Sequence, residues 1–543
     1  MRIATNKSKY SYVIGRQQAW LVKIVGALGL ISLIGLVWGY YNFLNVSIPI
    51  KLLLFIPCLI IVLYHFVSYL LQLLFVGFDT REHEERVAAY WHERPIADIL
   101  SVTVIIPAAG ESVSIVRKTV NKALALDYPK KTVYILDDTK EGIYKRMAAT
   151  QGCRYAHRPN TGESKKAGNL NYALEHLPAS DYFLVLDADF VARREMLREM
   201  IPYAKPEVGI IQTPQHFSLS DTVYYKSKVA FGAGLIQKEF YRITQTARDR
   251  FGAAICVGTN ALYNRQALLQ VGGYEGVGGY GPWQHSEDVN TGLKMLNYTR
   301  RDGSAYKIKY LPVQLATGTC PEDYYSFYKQ QNRWCTGSLQ LLFSRKTLLS
   351  KTLSPLQKLF YFSNGLYYLY TIALLLTPLQ LLTISLVHAS YHWSYTFAFL
   401  PSFIVANLLT PFVFRREPEP LAAAVTITAT AYTFLQALWL LIIRRPLGWE
   451  ATGQKALSKS QRFTEFKVLV VFYFSIAYLG TLLVVVRQGG FGLRASIILQ
   501  AIFLYSFITQ AIHLYYLLFV ASAIRIPRHI KFIARNPLSR TVA

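Results

Sequence analysis

Apolar and polar positions fall into three regimes along this chain. Residues 1–18 are polar and basic, and 24–44 and 52–76 are then apolar stretches long enough to span a bilayer. The first is too long for a signal peptide and is followed at once by a second, which points to a membrane anchor. Residues 78–100 carry Arg81, Glu82, Glu84, Glu85 and Arg86 and read as a solvated linker. From Ser101 short apolar runs alternate with helical spacing. The pattern predicts strands at 102–107 and 132–136, a short strand around Tyr155, and strands at 183–186 and 208–213, with helices over 111–126 and 166–177. Such alternation predicts an open parallel α/β sheet. Past about residue 350 apolar blocks return, at 359–387, 394–414, 421–443, 468–486 and 496–523.

Composition sharpens this picture. The 543 residues are 52% hydrophobic with a formal net charge of +26. The Lys and Arg residues flank apolar blocks instead of forming one stripe, which favours a membrane protein over a nucleic-acid binder. Five cysteines without CxxC spacing give neither a zinc site nor a disulfide framework. Basic flanks mark the cytoplasm. They occur at Arg2, Lys7, Lys9 and Arg16, at Arg415 and Arg416, over 444–467 and over 525–540, whereas 388–393 contains no charged residue. Both flanks of 421–443 are basic, so that block should lie in the interface. Six spans remain, two before the α/β domain and four after it, with a seventh span through 421–443 as the alternative. Both termini and the α/β domain are then cytoplasmic. The expected organisation is a transmembrane region (1–77), a linker (78–100), the α/β domain (101–320), interface helices (321–358) and a second transmembrane region (359–543).

The candidate chemistry centres on residues 181–190, DYFLVLDADF. A buried strand ends there in Asp187 and Asp189, where ligands of open α/β sheets bind. Two carboxylates suit Mg²⁺ or Mn²⁺ held jointly with substrate phosphates. Further acidic pairs end or open elements at Asp137–Asp138 and at Glu287–Asp288 in HSEDVNTGLKM. The second pair suits helix capping, or a base that takes a proton from an incoming hydroxyl. In QQNRW, residues 330–334, the Arg333 fork suits a diphosphate or an interface salt bridge. Trp334 suits a stacked sugar ring or a membrane-interface anchor. No GxGxxG opens the first helix, so the dinucleotide fingerprint is missing.

The order of these motifs resembles the processive family 2 glycosyltransferases, the membrane enzymes that include cellulose, chitin and hyaluronan synthases. VTVIIPAAGE, YILDDTKEG, KKAGNLNYAL, LDADF, IQTPQHF, SEDVNTGLK (Ser286 for the family's Thr) and QQNRW fall in register with that family across about residues 100–465. The resemblance implies a glycosyltransferase A-type α/β domain inserted between transmembrane helices. It implies Asp137 and Asp138 on the nucleotide, Lys166 on the diphosphate, and Asp187 and Asp189 on the metal and diphosphate. Asp288 would be the general base, Gln330 and Arg333 would fix the donor diphosphate, and Trp334 would carry the acceptor. WEATGQK, residues 449–455, resembles the FxVTxK gating loop, with Thr452 and Lys455 reaching the diphosphate. The DDG of the bacterial cellulose synthases appears here as Asp138-Thr139-Lys140.

A plasma-membrane enzyme follows from that resemblance, one that inverts a UDP-sugar into a β-linked polymer and passes it outward. IQTPQHF favours UDP-glucose and a β-glucan, with 1,4, 1,3 or mixed linkage. A chitin- or hyaluronan-type synthase using UDP-N-acetylglucosamine, a non-processive lipid glycosyltransferase and a transporter with a regulatory α/β domain are the rivals. Accessory secretion or regulatory subunits are compatible with it, and no nucleic acid is expected.

Overall fold

The computed structural model describes residues 9–43, 47–217, 228–275, 287–318, 324–342, 344–386, 393–415 and 420–443. Two helices, Ala19–Phe43 and Ile48–Leu73, form first. Among the described residues two stretches, Arg16–Gly39 and Phe55–Leu73, are long and apolar enough to cross a bilayer. Their outer faces expose Ile24, Ile31, Ile34, Leu63 and Phe66, a surface that lipid accommodates better than water. Their inner faces meet closely because Gly26 has no side chain: a Cβ there would fall 2.7 Å from the Tyr69 carbonyl oxygen. Later helices Pro355–Leu386, Trp393–Ile404 with its continuation to Arg415, and Pro420–Ile442 occupy three of the expected apolar blocks. The blocks at 468–486 and 496–523 lie outside the described residues, as does 444–465.

The stretch read as a solvated linker is instead a docked helix, Thr80–Glu93. Asp79 caps it, accepting the backbone N–H groups of Arg81 and Glu82 at 3.0 and 3.1 Å. Its one inward polar residue, His83, is buried between the Tyr203 hydroxyl (2.7 Å) and Glu199 (2.6 Å). Charge density along the sequence concealed this, because the inward His83, Tyr90 and Trp91 are set among charged residues.

The α/β domain is built on strands β1 (Val102–Ala108), β2 (Lys131–Asp137), β3 (Arg154–His157), β4 (Tyr182–Val185), β5 (Val191–Ala192), β6 (Val208–Gln212), β7 (Ala261–Asn264), β8 (Lys307–Tyr310) and β9 (Ala316–Thr317). Seven of them form one sheet in the order β3-β2-β1-β4-β7-β6-β8, and β5 pairs with β9 separately. The sheet is mixed, not wholly parallel: β7 runs antiparallel to β4 and to β6. An apolar run announces a strand but not its direction, and β7 is reached through the helical excursion between 228 and 250 instead of a single crossover. The central strands are apolar throughout because both faces are covered. Ile105, Phe183 and Val185 enter one core, while Val104, Ile106, Leu184 and Leu186 enter the other.

The chain winds outward from β1 to β3 and then returns to place β4 on the other side of β1. That reversal opens a crevice beyond the strand ends. β1, β2 and β4 are mutually parallel, so the ends of β2 and β4 bring Asp137 and Asp187 to the same edge. β6 ends there as well, and β7 begins there, with Gln212 opposite Ala261.

Candidate active site

Asp187 follows β4, and its backbone N–H is fixed by the Thr259 hydroxyl at 2.8 Å. Lys166, from the helix Lys165–His176, donates to Asp187 Oδ1 and to the Gly258 carbonyl at 2.8 Å. Burial alone would depress the ammonium, but the Asp187 and Glu287 charges and the Asp187 hydrogen bond outweigh it and hold its pKa above the ordinary value. Asp189, two residues further on, is half-buried. Burial first, then the Asp187 charge, pushes its carboxyl up to about 7.

Gly258 joins this group to Asp288. Its φ is +77°, and a Cβ would fall 3.0 Å from the Asp288 Cβ and 3.1 Å from its Oδ2. Glycine is required there on both counts. Asp288 opens the helix Glu287–Asn297 and accepts the Val289 N–H at 2.8 Å. Burial and the neighbouring Glu287 charge raise its carboxyl well above the carboxylate range, against the opposing pull of Lys166.

Arg333 lies within electrostatic range of the same carboxylates. Burial lowers its guanidinium while Glu287, Asp187 and Asp288 oppose that shift, and it remains charged. It lies on the helix Tyr324–Leu342, where Gln330, Arg333 and Trp334 are half-buried and Gln331, Asn332 and Cys335 are buried. The spacing i, i+3, i+4 puts the first three on one face. The structure therefore brings Lys166, Asp187, Asp288 and Arg333 together from four separate segments, with Asp189 beside them.

Asp137 and Asp138 both lie at the end of β2, each held by protein donors. Asp137 is buried, and its two oxygens accept Thr139 N (2.9 Å), Thr139 Oγ1 (2.6 Å), Tyr144 N (3.2 Å) and the Tyr155 hydroxyl (3.0 Å). Asp138 takes a bidentate pair from Arg158 (2.7 and 2.9 Å) and the Gly162 N–H (2.9 Å). Protein donors reach both oxygens of each, and these bonds hold the loop that leads to Lys166. In that loop Ser164 and Lys165 have φ of +48° and +52°, costly for residues with a Cβ. Thr452, Lys455 and Ser286 lie outside the described residues.

Three contributors escaped sequence reasoning. Glu111 is half-buried near Asp187 and Asp189, and desolvation raises its carboxyl although the Ala109 N–H donates to it at 2.7 Å. Gln212 clamps the 257–260 loop: its amide donates to the Thr259 carbonyl at 2.8 Å and accepts Val257 N–H at 2.9 Å. Gly258 is the third, and a lone glycine signals nothing until Asp288 is seen against it. The motifs VTVIIPAAGE and IQTPQHF held Glu111 and Gln212, but their spacing gave them no role.

Among the described residues no three His, Cys, Asp or Glu side chains converge at metal-binding distance. The donor set nonetheless fits a dication. Asp187 and Asp189 are hard oxygen donors one residue apart, Glu111 adds charge, and a lysine ammonium already stands on Asp187. Further oxygens would come from a diphosphate and water. A surface cavity of about 710 Å³ lined by Trp91, Arg94, Tyr128 and Lys131 shares no residue with this group.

Residues 100–337 match the family described as Glycosyltransferase like family 2. A cellulose synthase 1 catalytic subunit of Komagataeibacter xylinus is 33% identical over 267 residues, covering 48% of this chain and 34% of the relative. A cellulose synthase catalytic subunit of Pseudomonas fluorescens is 30% identical over 309 residues, covering 56% and 40%. The chain thus spans well under half the length of these relatives. Among solved structures, S. aureus TarS 1–349 in complex with UDP-GlcNAc has a TM-score of 0.33 and 11% identity over 67% of this chain and 97% of that one. Glucosyl-3-phosphoglycerate synthase of Mycobacterium tuberculosis, with Mn²⁺ and UDP-glucose, has 0.30 and 13% over 48% and 83%. Likeness at that level bears no weight for the fold, which rests on the strand order above.

Proposed function

We propose, from the match of residues 100–337 to the family 2 glycosyltransferases and the likeness to cellulose synthase catalytic subunits, that the protein is a membrane-embedded, processive, inverting glycosyltransferase. It takes the sugar of a UDP-sugar, UDP-glucose first, onto the end of a growing β-glucan and passes the polymer out through its own helices. The proposed setting is the plasma membrane, with six spans and a cytoplasmic catalytic domain.

One observation carries this reading: Asp288 lies against Gly258, whose carbonyl is held by the same Lys166 that pairs with Asp187. That arrangement supports reading Asp288 as a proton acceptor beside a diphosphate site at Lys166. Lys166, Gln330 and Arg333 bind the diphosphate, as a planar guanidinium and an ammonium do. Asp187 and Asp189 hold Mg²⁺ or Mn²⁺, which when bound neutralises charge on the departing UDP. The acceptor hydroxyl, carried on Trp334, attacks the anomeric carbon from the face opposite UDP. A bond forms between acceptor oxygen and anomeric carbon, the bond from that carbon to the diphosphate oxygen breaks, and Asp288 receives the hydroxyl proton. The configuration inverts. Thr452 and Lys455 close over the donor as a lid.

The test is UDP release by the purified full chain in detergent across UDP-sugars, with linkage analysis of the product. UDP-glucose turnover with a β-linked polymer is expected. Turnover of UDP-N-acetylglucosamine alone would replace the donor, and a lipid-linked monosaccharide product would replace processivity. No UDP release from any UDP-sugar would defeat the reading.

A further inference from the structure

Residues 9–15, ahead of the first apolar helix, run across the α/β domain. Lys9 accepts the Gln314 N–H at 2.7 Å and pairs with Glu199, and Ile14 accepts the Phe78 N–H at 2.9 Å. Between them Tyr12 is only 2% exposed. Its hydroxyl lies 3.0 Å from His216 Nδ1, and the two rings meet edge to face at 5.5 Å. Burial, helped by the Lys238 and Arg193 charges, pushes the His216 imidazole down to about 4, so the ring is neutral.

His216 ends the segment that begins at Gln212. Gln212 clamps Val257 and Thr259, and Gln215 donates to the Val257 carbonyl at 3.1 Å. On the other side Phe217 packs edge to face on Phe190, next to Asp189, at 5.5 Å. One segment thus supports both the Gly258 loop and the strand end that carries the carboxylates. Nothing else in the transfer reaction calls for Tyr12, whose own ring also meets Tyr241.

We propose that Tyr12 is a positioning residue for the transfer reaction: its hydroxyl fixes His216, and the 212–217 segment in turn fixes the 256–260 loop against Asp288 and Phe190 beside Asp189. The arm ties the first membrane helix to the geometry of the active site. This rests on the glycosyltransferase reading.

The experiment compares Tyr12→Phe, which keeps the ring, with wild type as full-length protein in detergent. Removing the hydroxyl leaves a buried nitrogen unsatisfied, and kcat is expected to fall about tenfold, with donor KM and UDP affinity within twofold. His216→Phe is combined with it, and the second substitution should add less than twofold to the loss of the first. Wild-type kcat in Tyr12→Phe, or losses that simply multiply, would overturn the proposal. Hydrogen exchange of residues 212–217 and 256–260 is measured on the same samples, where faster exchange in Tyr12→Phe is expected. If wild type releases no UDP from any UDP-sugar, the functional reading fails, and exchange alone decides: unchanged protection overturns the role of Tyr12.

Discussion

The Lys166 ammonium donates to Asp187 and, at 2.8 Å, to the carbonyl of Gly258, so one side chain pins the end of β4 to the loop that faces Asp288. A cation in that position has two tasks. It offsets the charge of Asp187, Asp189 and Glu111, and in the proposed function it also meets the donor diphosphate.

Lys166→Met should therefore weaken donor binding more than it slows chemistry. Hydrogen bonds to charged groups are worth about 1.5–3 kcal/mol, which is roughly a 10–100-fold rise in donor KM. Asp189→Asn should instead weaken the dependence of rate on Mn²⁺ or Mg²⁺. Donor titrations at several metal concentrations check both, and an unchanged KM in Lys166→Met would remove it from the diphosphate site.

Asp288 makes a pH prediction. Its carboxyl is raised by burial and by Glu287. A base must be ionised, so turnover should fall as pH drops through that raised pKa, well above the ordinary carboxylate range. Stability runs the other way. A carboxyl whose pKa is higher folded than unfolded binds protons on folding, and the folded state gains stability as pH falls through the same interval. Asp288→Asn should remove the Asp288 share of this acid limb, leaving the share set by Asp189, whose carboxyl is also raised, and cut kcat by about 10²–10⁴-fold with UDP affinity nearly intact. A pH–rate profile and calorimetric UDP titration decide it, and wild-type turnover in folded Asp288→Asn would exclude the base.

Gly258→Ala should damage the site without removing any functional group. The positive φ costs an alanine about 1–2 kcal/mol, and the new methyl presses on Asp288. The expected result is a kcat loss of about tenfold or more with a smaller change in donor KM. Equal kcat in the variant would mean that the loop yields freely.

How much of this was legible beforehand can be judged residue by residue. Asp187 and Asp189 were visible because a buried strand shows as an apolar run and its end shows as charge. Lys166, Asp288 and Arg333 were visible through motif order alone, and the structure then gathered them at one edge. Gly258 and Gln212 were not, since their meaning is a close approach between segments far apart in the chain. Strand β7, which the apolar pattern did not predict, and the docking of His83 were hidden for a similar reason: neither is written in local periodicity.

Asp138 has two roles to separate, a nucleotide ligand as motif order implies and a partner of Arg158 as the packing places it. Arg158 is 1% exposed, and its bidentate partner is Asp138. It also donates to the Lys165 carbonyl at 3.2 Å, one residue before Lys166. Breaking a buried pair from one side leaves a charge without compensation and costs roughly 3–5 kcal/mol. The strain at Ser164 and Lys165 would then lose its restraint. Asp138→Asn should therefore lower the melting temperature and raise donor KM together, because Lys166 loses its placement. A direct nucleotide ligand would behave differently, with UDP affinity falling while thermal stability held. Arg158→Met supplies the complementary reading, since Arg158 is buried beneath the loop: it should reproduce the KM change of Asp138→Asn. Thermal denaturation and donor titrations on both variants distinguish the two roles, and an unaltered melting temperature in Asp138→Asn would return Asp138 to the nucleotide.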